Sequence, residues 1–277
     1  MKNIVNTKWL KEHINCENIK IFDCRFNLQN EEYGIKSFQE EHIKNAIYMD
    51  LNKDLAGERG IHGGRHPLPN MMKFKELLES YGVDNKSIIV AYDDGDLAGA
   101  SRLWWMMKYI GLSTVYVLEG GIKAWIKDGY ETENYGRTCY KKSSLNVNIQ
   151  SHMLSIMEDV KKAIDNNNIA IVDSRAKERY LGIVEPVDKK AGHIKGAKNF
   201  DWQENFKNGE IISKEDISNR FEKLRNFNQV IVHCGSGVTG CVNVLFLDEA
   251  DIESKLYLGS WSDWCSYDDN KIVTGER

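Results

Sequence analysis

The stretch Val230 to Cys241, "VIVHCGSGVTGC", decides the fold. Its β-branched opening reads as a buried strand, and the helical apolar pattern that resumes near Val238 reads as the start of a helix. Between them stand Cys234 and a run rich in glycine and small hydroxyl residues. Strand, glycine-rich turn and helix in that order form the repeating unit of an α/β sheet. Cys234 then falls at the carboxyl end of a strand, where open α/β sheets carry their ligands.

The turn has a chemical reading as well. Gly235, Gly237 and Gly240 are expected to adopt backbone angles closed to other residues, so that successive N–H groups point inward as a nest for an anion. The positive end of the following helix adds to the cradle. Such surroundings favour a thiolate over a thiol, the condition for nucleophilic sulfur chemistry near neutral pH. A buried core thiol would not need a glycine-rich turn directly after it. Cys241, on the helix side, reads as packing, and Cys16, Cys24, Cys139 and Cys265 have no comparable setting. Pairing of Cys234 with Cys241 is disfavoured, since the helical turn between them separates their Cα atoms too far.

Working outward, the chain repeats itself. Phe22-Asp23-Cys24-Arg25 returns as Val172-Asp173-Ser174-Arg175, and His42-Ile43-Lys44-Asn45-Ala46 returns as His193-Ile194-Lys195-Gly196-Ala197. Ile89 to Asp93 lines up with Val230 to Cys234, and Gly120-Gly121 with Gly259-Ser260. Order is kept and spacing drifts only through short insertions, as expected of two copies of one fold. Each copy alternates apolar strands (19–23, 88–92 and 115–118; then 169–173, 230–233 and 256–258) with helical patterns (71–81, 97–110, 155–167 and 214–225). That alternation predicts an α/β fold of two tandem domains, each a parallel sheet flanked by helices. The expected boundaries are a first domain over 1–135, a linker over 136–150, where "YGRTCYKKSSLNVNIQ" is polar and weakly patterned, and a second domain over 151–277.

The first copy carries Asp93 where the second carries Cys234, followed by Asp94 and Asp96. Three carboxylates would repel an anion rather than cradle one, so the chemistry is assigned to the second copy. Asp23 with Arg25 and Asp173 with Arg175 read as internal ion pairs, and Trp104, Trp105, Trp125, Trp261 and Trp264 as core.

The whole chain has 277 residues, 42% apolar and 28% charged, with a net charge of -4. This describes an ordinary soluble surface and advertises no nucleic-acid or anionic-membrane partner. The N-terminus has no apolar core segment and fits neither a secretory signal nor a transit peptide, and no run of about 18 apolar residues exists to span a membrane. The six cysteines form no CxxC and have no His-x3-5-His companion, which argues against a zinc or iron–sulfur site. A cytoplasmic monomer with reduced thiols, no metal and no organic cofactor is the expectation.

On these residues the chain resembles the tandem-domain rhodanese family of sulfurtransferases over nearly its whole length. The matching pieces are the two Asp-x-Arg turns, the two His-Ile-x-x-Ala stretches, "GRHPLP" (Gly64 to Pro69), "RLWWMM" (Arg102 to Met107), "RYLG" (Arg179 to Gly182) and the Cys234–Thr239 loop. The resemblance implies an inert N-terminal half that supplies part of the cleft wall. It also implies a Cys234 persulfide that passes its sulfur to cyanide, a thiol or thioredoxin. Within the family a loop with two cationic residues goes with thiosulfate, whereas Cys-Gly-Ser-Gly-Val-Thr goes with 3-mercaptopyruvate, and this chain has the second. Gly235, Gly237, Val238 and Thr239 would then line the donor site, Arg179 would grip the donor's carboxylate, and Ser236 with His66 would relay a proton. The acidic member of that relay maps onto Asn52. A second arginine expected after Glu185-Pro186 is replaced by Val187-Asp188, leaving Lys189 or Lys190 as substitute point charges.

Three other readings stay open at this stage. A phosphatase or arsenate-reducing chemistry would use a Cys-x5-Arg loop, but the sixth residue after Cys234 is Gly240. Thiosulfate could be the preferred donor, and a persulfide carrier with little turnover of small donors is the third.

Overall fold

The computed structural model describes residues 1–134 and 140–276, and its described residues fall into two compact units. The first is built on five parallel strands in the order Ile4–Val5, Val115–Leu118, Ile88–Tyr92, Ile19–Asp23, Ala46–Tyr48. The second has the same order, Leu154–Ser155, Ser254–Tyr257, Gln229–His233, Ile169–Asp173, Lys198–Asn199, again all parallel.

The central strands are continuous apolar runs because they are covered on both faces. Ile21, Phe22, Val90 and Ala91 are buried in one unit, and Ile171, Val172, Ile231 and Val232 in the other. Two helices start where the sequence supplies a side-chain cap. Asn70 accepts from the Met72 and Lys73 N–H groups ahead of helix Met71–Ser80, and Ser213 accepts from the Asp216 N–H ahead of helix Lys214–Phe221. Trp105, Trp125, Trp261 and Trp264 are fully buried core residues.

Two boundaries differ from the sequence expectation. Residues 58–67, placed above in the first domain, pack as part of the second unit. The Gly63 N–H donates to Asp263 Oδ1 (2.8 Å), the Arg65 N–H to Ser262 Oγ (3.1 Å), and His62 stacks on Tyr267 at 3.8 Å. Polar loop residues with few apolar side chains gave no signal of this attachment, which rests on hydrogen bonds to distant residues. We call this segment the strap.

Residues 140–150, read as linker, run without regular secondary structure but pack as part of the first unit. The Ser143 N–H donates to the Glu79 carbonyl, the Leu145 N–H to Glu79 Oε1, and the Asn148 N–H to the Ile110 carbonyl, while Leu145 is buried. The remainder of the expected linker, and Cys139, lies outside the described residues. No helix among the described residues is long and apolar enough to cross a membrane.

Candidate active site

Strand Gln229–His233 delivers Cys234 to the carboxyl edge of the second sheet, and helix Gly240–Glu249 leads away from it. The helix begins two residues later than Val238, so the turn is longer than the apolar pattern suggested. Cys234 Sγ accepts a hydrogen bond from the Gly237 N–H at 3.2 Å, one inward N–H of the several that an anion nest would supply. Its own N–H donates to Ser260 Oγ at 3.2 Å, and that hydroxyl lies 4.0 Å from the sulfur.

The three glycines act for different reasons. Only Gly237 is left-handed (φ 76°), and a methyl group there would lie 2.3 Å from the Leu258 carbonyl oxygen. Gly240 gives room instead, since a side chain on it would enter the space beside Cys234 Sγ, 3.5 Å away. A methyl group on Gly235 would meet two guanidinium groups, Arg65 Nη2 at 3.0 Å and Arg179 Nη1 at 3.5 Å. The expectation of special backbone angles at all three is corrected accordingly.

Ser236 Oγ lies 2.8 Å from His66 Nδ1, so the strap brings these two expected partners together. Val238 is buried, and Thr239 sits at the helix start without capping it. Cys241 Sγ donates to the Gly237 carbonyl at 3.4 Å and is buried, as packing requires. Asn52 belongs to the first unit and is exposed, with its N–H donating to Asp50 Oδ1. Cys234 is 1% exposed, Ser236 5% and His66 2%, so all three side chains are shielded from water.

Beside the loop stands an ionic cluster. Arg179 donates to Glu185 through Nε (3.1 Å) and Nη2 (2.7 Å), and Nη2 also reaches Asp188 at 3.1 Å. Arg65 Nη1 pairs with the other oxygen of Asp188. Arg175 holds Asp173 through Nη2 at 2.6 Å, reaches Glu185 at 3.3 Å, and lies 4.4 Å over the ring of Trp261. Burial pulls the Asp173 carboxyl upward, but Arg175 and His233 outweigh it and hold the group below the usual aspartate range. Asp188 goes the other way: burial and the neighbouring Glu185 push it up against the pull of Arg65 and Arg179. Removing one partner from the deeply buried Asp173–Arg175 pair would cost about 3–5 kcal/mol, which marks it as structural. Lys190 turns away to Asp268 (2.9 Å) and Lys189 is exposed, so neither substitutes for the absent arginine at the loop.

A family model for the rhodanese-like domain matches residues 6–128 and 157–267. The chain belongs to the rhodanese-like family. Over 281 residues it is 32% identical to a probable 3-mercaptopyruvate sulfurtransferase of Pseudomonas aeruginosa, covering 99% of this chain and 98% of that one. A mouse thiosulfate sulfurtransferase is 30% identical over 94% of this chain and 91% of its own length. Among solved structures, a 3-mercaptopyruvate sulfotransferase from Escherichia coli matches with a TM-score of 0.83 at 30% identity, covering 95% of this chain and all of that one.

Three groups beside this rhodanese-like loop escaped the sequence reading. Arg65 stands in the quoted "GRHPLP" motif next to His66, and that adjacency was its available signal. Ser260 replaces the Gly121 of the first copy while keeping a left-handed φ of 56°, a costly exchange that marks a side chain with a task. Asp188 could be read only as a departure from pattern. Among the described residues, no group of three His, Cys, Asp or Glu side chains could hold a metal ion.

Proposed function

We propose that the protein is a sulfurtransferase that takes sulfur from 3-mercaptopyruvate and passes it on through a persulfide on Cys234. The observation that carries this reading is the Cys234 sulfur held by the Gly237 N–H at 3.2 Å beside the Ser236–His66 pair. An N–H aimed at sulfur stabilises a thiolate before the reaction and the outer persulfide sulfur's neighbour after it.

In the first half-reaction the Cys234 thiolate attacks the donor sulfur and a sulfur–sulfur bond forms. The donor's carbon–sulfur bond breaks, and its electron pair passes to the methylene carbon as the enolate of pyruvate. The proton carried by the transferred sulfur is returned to that carbon, with Ser236 and His66 as its path, which leaves pyruvate and an ionised persulfide. In the second half-reaction an acceptor such as cyanide, a thiol or thioredoxin attacks the outer sulfur. The sulfur–sulfur bond breaks and its electron pair restores the Cys234 thiolate. Both halves are exchanges at sulfur that need neither an external oxidant nor a metal.

The charge balance around the loop favours this donor over thiosulfate. Arg65, Arg175 and Arg179 are matched by Asp173, Glu185 and Asp188. A single carboxylate can be held there by directed hydrogen bonds, while a dianion gains little from a cluster without excess charge. Steady-state assays of the purified protein with each donor, cyanide as acceptor, decide the matter. Higher kcat/KM with 3-mercaptopyruvate is expected, together with a mass increase of about 32 Da on Cys234 when the acceptor is withheld. A higher kcat/KM for thiosulfate would overturn the assignment.

A further inference from the structure

We propose that the strap is a lid over Cys234, which lifts to let donor and acceptor reach the sulfur and, when shut, brings His66 to Ser236. The lid serves whichever donor supplies the sulfur; it rests only on Cys234 as the reacting thiol of the proposed function.

The neck of the segment permits such a motion. Gly57 and Leu68, the residues on either side of the strap, meet: a methyl group on Gly57 would lie 2.8 Å from the Leu68 carbonyl oxygen. A loop of this length whose two ends touch is an Ω-loop, which can swing from its neck without disturbing the chain before or after it. Both neck residues belong to the first unit, whereas the loop itself packs with the second.

Little apolar surface holds the tip of the loop down. Residues 58–63 are exposed, and the Ile61 side chain among them is 89% exposed. The tip is fixed instead by the stack of His62 on Tyr267, by His62 Nδ1 at 2.7 Å from Ser266 Oγ, and by the Gly63 and Arg65 N–H groups donated to Asp263 and Ser262. Polar contacts of this kind exchange for water at little net cost, because their parting uncovers no aliphatic side chain.

The shut loop lies against both segments that carry the nucleophile. Arg65 and His66 stand against Gly235 and Ser236, and Gly64 abuts the Gly259 backbone. The same two segments hold Cys234 between them. Ser260 Oγ accepts the Cys234 N–H, the Trp261 N–H donates to the Cys234 carbonyl, and the Ser262 N–H donates to that of Gly235. With Cys234 only 1% exposed, a persulfide formed there is kept from water and stray thiols between the two half-reactions. The same enclosure keeps out donor and acceptor, so each half-reaction begins with the lid lifting.

The test is alkylation of Cys234 by iodoacetamide, read by peptide mass analysis, in the parent and in His62→Ala. That change removes the stack on Tyr267 and the bond to Ser266 and touches none of the reacting groups. The alkylation rate is expected to rise about fivefold or more in the variant. Its pH midpoint should stay where it is in the parent, since the bonds made by the sulfur are intact. The Gly63 and Arg65 amides should exchange with solvent faster by a similar factor, while those of Val230 to Val232 keep the parent rate. Tyr267→Leu removes the stack from the other side, should act in the same way, and decides the matter if His62→Ala does not fold. Equal alkylation rates in the parent and the folded variant overturn the lid. So does a rise that comes with a lowered pH midpoint, or with equally faster exchange along strand Gln229–His233. Absence of turnover with 3-mercaptopyruvate would sink the proposed donor and leave this result as it stands.

Discussion

The two strand-end loops, one in each unit, use the same backbone device for different anions. In the first unit Asp93 follows strand Ile88–Tyr92, and its Oδ1 accepts from the Gly95 and Leu97 N–H groups while Oδ2 accepts from Ala100. In the second unit Cys234 follows strand Gln229–His233, and its sulfur accepts from Gly237. The carbonyls of Asp93 and Cys234 are held alike, each by an N–H from the helix that follows the next strand, Ile122 in one unit and Trp261 in the other, both at 3.0 Å. The first nest is therefore intact and occupied by its own side chain. The acidic run does more than repel an anion from this loop: the Asp93 carboxyl itself occupies the N–H groups of Gly95, Leu97 and Ala100.

The same contrast appears one strand over. Asp23 and Asp173 make equivalent pairs with Arg25 and Arg175, each at 2.6 Å. In the first unit burial prevails and the Asp23 carboxyl is raised, with Tyr92 donating to it at 2.7 Å. In the second unit His233 takes the place of Tyr92, and Asp173 is lowered. Equivalent ion pairs thus titrate in opposite directions because the balance between burial and the surrounding charges differs.

The strongest way to break the comparison is to make the loops alike. Cys234→Asp should fill the second nest as Asp93 fills the first, and abolish sulfur transfer by roughly 10⁴-fold or more in the cyanide assay. The reciprocal Asp93→Cys should gain no activity, because Gly121 offers no hydroxyl where Ser260 stands. Measurable transfer by a double variant carrying both changes would show that the nest alone is sufficient and sink the assignment.

A smaller effect is expected at Gly237. Alanine there combines a left-handed backbone with a clash against the Leu258 carbonyl, and should lower the unfolding free energy by about 3 kcal/mol or more, read from denaturant melts. The corresponding change at Gly240, which has no such backbone angle, should cost stability less and activity more.

The smallest effect sharpens the comparison by pH. Burial and the neighbouring Asp96 push the Asp93 carboxyl up to about 7, above the roughly 3.9 of an unfolded aspartate. Between those values the folded chain binds more protons than the unfolded one, so this contribution to stability is fully present below the lower value and is lost as pH rises through the upper one. Asp173, depressed in the fold, contributes with the opposite sign and loses its part only on acidification. Hydrogen exchange, corrected for its intrinsic pH dependence, should show the amides of Gly95, Leu97 and Ala100 opening more readily at pH 8 than at pH 5. Amides beside Asp173 should show no such weakening; equal behaviour at both loops would refute the contrast.

What could be read from the chain alone follows the range of the forces involved. The central strands were legible because a buried parallel strand must be a short apolar run, and Ile19–Asp23, Ile88–Tyr92 and Ile169–Asp173 were located to the residue. Cys234 and Gly237 were legible because a tight turn after a strand restricts residue type locally. Arg65 and Asp188 were not, since an ion pair between residues 123 apart leaves no periodicity in either segment. Nor could composition tell a glycine needed for its backbone angle, Gly237, from glycines needed for their emptiness, Gly235 and Gly240. The strap was misplaced for the same reason: it buries little apolar surface, and its hydrogen bonds, ion pair and ring stack to distant residues say where it belongs.

That strap bears on inheritance. Copies of a duplicated domain are ordinarily interchangeable modules that recombination can separate or lose. Here the stretch carrying Arg65 and His66 is encoded inside the first copy, flanked on both sides by residues of the first unit. A recombination break near Gln150 would hand on the Cys234 loop without the residues that bond Ser236 and Asp188. The first half is thereby protected from deletion by ten residues that it encodes and the second unit packs as its own.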